Sequence, residues 1–218
     1  NKHGINKNKI FVLNNTIDTK TILKISKSLT NDAVSKVNSK YDLKNKFVIG
    51  FIGRLHKLRK TEYAIQAIID LNVIHKNLFF FIIGDGEEYK YLVDKYSKYS
   101  FISFLGNIED ENVLAPYIFN IKFFINPGLI GLNLIHSMIY GKPTVAIKKK
   151  YHSPEIDFLK PDYNGILSEN NIESFKKEIS RLIYDSDLLL KMSNNALDFA
   201  SSELSIENMG KNFIKIMK

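Results

Sequence analysis

Residues 46–74 read KFVIGFIGRLHKLRKTEYAIQAIIDLNVI, and this stretch decides the fold. Its first part, 46–53, is apolar without polar alternation and ends in glycine. A strand of that kind is buried on both faces, which is the habit of parallel sheets. A short basic turn follows, then a mostly apolar segment over 61–74 that reads as a largely buried helix. A doubly buried strand feeding directly into a helix is one unit of an α/β fold.

Working outward, the same unit recurs. LFFFIIG (78–84) is strand-like, and in EEYKYLVDKYSKY (87–99) Tyr89, Leu92, Val93 and Tyr96 fall on one helical face. FISFLG (101–106) predicts a strand, 110–120 a short helix, and IKFFINPG (121–128) another strand. A helix over 131–141 stops at Gly141, and strands are predicted at 142–147 and 164–167. Ile172, Phe175, Ile179, Leu182 and Ile183 form the stripe of a later helix, and two more helical segments, 187–201 and 205–217, close the chain. The fold class is therefore α/β, a Rossmann-like doubly wound parallel sheet. Upstream, 9–15 predicts a strand and 18–42 a weakly amphipathic polar segment, so the core domain is placed at 44–218.

Composition narrows the partners. The chain has 218 residues, no cysteine and a net charge of +8, which excludes disulfides and thiolate metal sites and favours anionic ligands. Its lysines are spread over most segments, with dense runs at Lys57–Lys60 and Lys148–Lys150, so nucleic acid is not the expected partner. No apolar stretch is long enough to span a bilayer. Arginine is scarce: besides Arg181, only Arg54 and Arg59 occur, and both sit in the quoted turn.

Ligands of open parallel sheets bind outside the carboxyl ends of the strands. That rule selects Gly53, Arg54, Arg59 and Lys60 after the first core strand, and Gly84 and Asp85 after the second. It also selects Gly106 after the third, and Gly128, Gly131 and Leu132 after the fourth. Neither the dinucleotide glycine fingerprint nor a P-loop is present in register. Two guanidinium groups, which grip phosphate in a planar fork, then become the expected contact with a diphosphate. Helix starts near 61 and 132 are expected to aim backbone N–H groups at the same anion. Asp85 has no carboxylate partner in its own loop, so no metal site and no cofactor are expected.

Several motifs come in an order and spacing that resembles the family 4, or group 1, glycosyltransferases. They are FIGRL…RKTEYAIQAI, FFIIGDGEEYKYL, ISFLGNIEDENVLAPYI, FFINPGLIGLNLIHSMIYGKPTVAI and PEIDFLKPDYNGIL, and the resemblance covers about residues 5–200. It implies the C-terminal half of a GT-B fold, which binds a nucleoside diphosphate sugar. Residues 1–43 would be the interdomain segment and the start of this donor domain. The N-terminal acceptor domain, absent from this sequence, would supply acceptor contacts, and no catalytic residue is certain in this half.

The implied activity is metal-independent, retaining hexosyl transfer to a glycan or lipid-linked acceptor, as in polysaccharide biosynthesis. This half alone would transfer little. The implied location is cytoplasmic, with the positive charge available to the anionic inner face of a membrane. By resemblance Arg54 contacts the diphosphate, and Arg59 or Lys60 is the second contact. The loop at 127–131 is short and lacks the family's first glutamate, while His136 stands where the second would bind the donor ribose. His136 is thus either a donor contact or a satisfied helix histidine. Glu155 either replaces the lost carboxylate or is structural or exposed. A non-catalytic nucleotide- or phosphosugar-binding module is the alternative function.

Overall fold

The computed structural model describes residue 11 and residues 13–217. Residues 9, 10 and 12 of the strand expected at 9–15 lie outside them, and the remaining four, 11 and 13–15, are in neither strand nor helix. The polar segment after it forms two helices, α1 (Thr19–Ser28) and α2 (Asn31–Tyr41). Each starts at a side-chain cap: Asp18 accepts from the Thr21 N–H at 3.1 Å, and Thr30 from the Ala33 N–H at 3.3 Å.

The core then alternates as the sequence predicts: β1 (Phe47–Ile52), α3 (Thr61–His75), β2 (Leu78–Ile83), α4 (Tyr89–Tyr96), β3 (Ile102–Gly106), α5 (Glu111–Asn120), β4 (Phe123–Asn126), α6 (Asn133–Ile139), β5 (Thr144–Ile147) and β6 (Gly165–Ser168). Helices α7 (Ile172–Tyr184), α8 (Ser186–Glu203) and α9 (Ile206–Met217) follow. The six strands form one parallel sheet in the order β3-β2-β1-β4-β5-β6. β1 therefore pairs with β2 on one side and β4 on the other, and the strand order reverses between β1 and β4.

Alternate residues of the strands feed two cores. Val48, Phe79, Phe81 and Phe124 pack with Ile22, Val37, Ile118, Ile135 and Met138 on one face. Ile49, Phe51, Phe80, Ile82 and Phe123 pack with Ala64, Ile65, Ile68, Leu92 and Phe175 on the other. Each fully buried phenylalanine contributes roughly 1.5–3 kcal/mol, and β1, β2, β4 and β5 are buried along nearly their whole length, while the edge strand β3 is only partly buried. Gly50 interrupts β1 for a packing reason, since a Cβ there would lie 2.6 Å from the Phe124 ring. The helix expected over 61–74 is mostly buried, and its exposed end is the last turn, with Val73 and Ile74 at 72% and 68% exposed.

Candidate functional site

At the point where the strand order reverses, the loops after β1 and β4 lie side by side. A Cβ on Gly128 would fall 2.1 Å from the Arg59 carbonyl oxygen, so only glycine lets the two backbones approach this closely. The Leu129 N–H donates to the Leu58 carbonyl at 3.0 Å. Arg59 Nη1 donates back to the Leu129 carbonyl and, at 3.3 Å, to Asn133 Oδ1. Asn133 completes the clamp, donating from Nδ2 to the Ile52 carbonyl at 3.0 Å and accepting from the Gly131 N–H at 3.1 Å.

The loops after β2 and β3 adjoin this junction. A Cβ on Gly84, whose φ is +134°, would lie 2.0 Å from the Gly53 carbonyl oxygen, and its N–H donates to the Gly106 carbonyl at 2.8 Å. Together they wall a cleft of about 510 Å³ lined by Gly53, Arg54, Gly84, Asp85, Asn107 and Ile108. Arg54 is exposed at this cleft, while Arg59 is half-buried at the junction. Burial lowers the Arg59 pKa and the Glu155 charge opposes that fall; a guanidinium remains charged regardless.

The structure separates Arg59 from Lys60. Lys60 holds φ +53°, linking a 3-10 turn at Lys57–Arg59 to α3. Its exposed side chain carries Nζ 5.6 Å from the centre of the Tyr63 ring. Burial, together with the nearby Lys60 charge, pushes Lys149 down to about 8. The expected amide donors at the start of α6 are partly committed, because Asn133 already takes the Gly131 N–H. Leu132 immediately precedes that helix and is half-buried.

His136 faces α5. Its Nε2 is 3.0 Å from both Glu111 carboxylate oxygens, and the Tyr140 hydroxyl donates to Glu111 Oε1 at 2.5 Å. Burial acts to raise the Glu111 pKa, but the hydrogen bonds from His136 and Tyr140 outweigh it and hold the carboxyl below its usual value. An ionised carboxylate accepts only, so Nε2 carries the proton. Glu155 is 7% exposed, which removes the solvent-exposed alternative; Oε1 accepts from Asn15 Nδ2 at 3.4 Å and Oε2 is buried without a partner. Among the described residues no three His, Asp or Glu side chains converge as a metal site would require.

Sequence reading missed Asn133 and His152, and met Leu129 only as a member of the short 127–131 loop. Asn133 is one residue past the Gly131-Leu132 pair and was readable only as a polar residue opening a helix. His152 accepts from the Ile130 N–H on Nδ1 at 3.4 Å and bonds the Ile147 carbonyl through Nε2 at 2.9 Å, bracing the β4 loop from the β5 side. Burial lowers its pKa and the neighbouring Lys149 adds to that; the Ile147 carbonyl opposes it.

An open parallel sheet with glycine loops and two arginines near its reversal point has the Rossmann-like architecture of one half of a GT-B fold. The sequence profile of the group 1 glycosyl transferases matches residues 35–199, and the chain belongs to that family. It is 27% identical over 221 residues to an uncharacterized glycosyltransferase, MJ1069, of Methanocaldococcus jannaschii, covering 96% of this chain and 56% of that protein. The structure of Anabaena Alr3699/HepE in complex with UDP and glucose superposes with a TM-score of 0.78 at 17% identity, over 99% of this chain and 58% of that one. The C-terminal domain of the group 1 family protein LpcC from Francisella tularensis superposes with a TM-score of 0.68 at 22% identity, over 87% of this chain and 99% of that one. The chain thus spans little more than half the length of the longer relatives, and its fold is the C-terminal half of GT-B.

Proposed function

We propose that this chain is the donor-binding half of a retaining glycosyltransferase. It takes a hexose-type sugar from a nucleoside diphosphate donor and passes it to a glycan or lipid-linked acceptor held by a second domain outside this sequence. The observation that carries the reading is Arg59: a half-buried guanidinium fixed at the β1–β4 junction, with Arg54 exposed at the adjoining cleft. The complex of Anabaena HepE with UDP and glucose supports a nucleotide sugar as the ligand class.

The nucleoside lies in the cleft between Gly53, Gly84 and Asn107, and the diphosphate lies over the glycine junction. As the glycosidic bond breaks, negative charge builds on the leaving diphosphate. Cations at Arg54 and Arg59 offset that charge, and Arg59, already held by Leu129 and Asn133, does so without reorganising. No resident metal is assigned a part in this reading. Contact with an anionic membrane surface belongs to the same proposal, carried by the net charge of +8; no helix of the described residues is long and apolar enough to cross a membrane.

The test is a calorimetric panel of UDP, GDP and ADP with their monophosphates, against wild type, Arg54→Ala and Arg59→Ala. Tighter binding of one diphosphate than its monophosphate, with that preference reduced in both variants, is the expected result. A panel in which no diphosphate exceeds its monophosphate overturns the proposal.

A further inference from the structure

Among the described residues, the buried side-chain nitrogen and oxygen atoms without a hydrogen-bond partner are Arg59 Nε, Thr61 Oγ1, His136 Nδ1 and Glu155 Oε2. Buried polar atoms in folded proteins are nearly always satisfied, so each such exception calls for an explanation. Two of these four belong to opposite charges. Glu155 is the carboxylate whose charge bears on Arg59, and the two side chains make no direct ion pair within 4 Å.

The loops that carry them are braced together. Glu155 sits in the 3-10 turn Pro154–Phe158, just after His152, which accepts the Ile130 N–H. The next residue back, Leu129, offers its carbonyl to Arg59 Nη1. On the far side Asn15, from the segment before α1, donates to Glu155 Oε1 at 3.4 Å and helps cover it. With Oε2 sealed and only 7% of the residue exposed, the carboxylate does not reach solvent and is poorly placed to touch a donor sugar. A buried anion with half its acceptor sites unfilled persists only where a fixed cation offsets its desolvation.

We propose that Glu155 is a positioning residue for Arg59: its buried carboxylate is the fixed counter-charge that orients the guanidinium across the junction of the β1 and β4 loops. The consequence for binding rests on the reading of Arg59 as a diphosphate contact. The consequence for stability does not. Glu155 stabilises the fold only while Arg59 is present, and without the arginine it is a liability.

The experiment is a double-mutant cycle with wild type, Arg59→Ala, Glu155→Gln and the pair, in which glutamine keeps the shape of the side chain. Each protein is melted without ligand and titrated with UDP and UMP. Glu155→Gln is expected to lower Tm in the wild-type background and to raise it in the Arg59→Ala background. It is also expected to cut the UDP-over-UMP preference roughly three- to tenfold with Arg59 present and not at all without it. Additive effects on Tm overturn the inference, as does a Glu155→Gln chain that fails to fold even in the Arg59→Ala background. A Tm sign reversal with no diphosphate preference in any protein keeps the Arg59–Glu155 coupling and overturns the proposed function instead. Arg59-dependent UDP binding that Glu155→Gln leaves unchanged, with additive Tm values, does the opposite.

Discussion

Asn133 Oδ1 accepts from Arg59 Nη1 at 3.3 Å, while the same amide donates to the Ile52 carbonyl at 3.0 Å. One side chain at the start of α6 thereby ties the end of β1 to the arginine that follows it. The guanidinium is held at a fixed place before any ligand arrives, which limits the ordering cost of binding.

The first prediction separates the two neighbours. Arg59→Ala should weaken diphosphate binding at least tenfold, since hydrogen bonds to charged groups are worth roughly 1.5–3 kcal/mol. Lys60→Gly should change it less than threefold and should stabilise the chain, because a left-handed non-glycine residue costs about 1–2 kcal/mol. In a chain of this size that gain would appear as a Tm rise of roughly 2–4 °C per kcal/mol. Calorimetry and thermal melts decide the matter: a larger loss of affinity in Lys60→Gly than in Arg59→Ala would move the contact to Lys60.

Gly128→Ala should be destabilising by about 1–3 kcal/mol, the usual cost of forcing a methyl into a packed site. The added Cβ meets the Arg59 backbone at 2.1 Å, so loop separation and weaker diphosphate binding should accompany the lower Tm. Gly210→Ala in α9 is the contrast, with nothing within 4 Å of its Cβ. It should be neutral or stabilising by up to about 1 kcal/mol, the helix preference of Ala over Gly.

His152 carries a pH dependence. Its folded pKa is lowered from the ordinary 6.5, first by burial and then by Lys149. Between the folded value and 6.5 the unfolded chain binds more protons, so stability rises with pH across that window. The His152 contribution is complete above 6.5 and is lost as pH falls below it. Melts from pH 8 down to pH 5 should show a shallower decline in His152→Gln than in wild type, and parallel curves would refute the assignment. His75 also has a lowered pKa from burial, but that contribution is present in both proteins and cancels in the comparison.

Glu111 and His136 give the last test. His136→Glu restores the residue type that the family resemblance leads one to expect there, yet it brings a second carboxylate against Glu111, where Nε2 now lies 3.0 Å away. Two carboxylates at that distance cannot both stay ionised without penalty. His136→Glu should therefore melt well below His136→Gln at pH 7, with the gap closing as pH falls toward 5. A gap that does not depend on pH would mean that Glu111 moves away in the variant.

Much of this was legible in the residues. Continuous apolar runs at 47–52 and 78–83 announced strands covered on both faces, and the stripe through Phe175, Ile179 and Leu182 announced α7. Both follow from the local periodicity of side chains along a strand or helix. The arginine turn was legible for another reason: two scarce, planar cations after a strand that ends in glycine. The segment 18–42 read as one weakly amphipathic stretch, yet it forms two helices, each opened by a side-chain cap, Asp18 or Thr30, and each burying an apolar residue, Ile22 or Val37, in the core.

By itself, the sequence determined the α/β class, the edge of the sheet that carries the glycine loops and the residue types available there. Tertiary structure decided which of them act together. Asn133 is 74 residues from Arg59, and Glu155 and Asn15 are 140 residues apart. Periodicity reports only neighbours in the chain, whereas a hydrogen bond or a buried counter-charge depends on which loops the sheet order brings side by side. The pairing of β1 with β4 made that choice, setting Arg59 inward at the junction and turning Lys60 out over Tyr63.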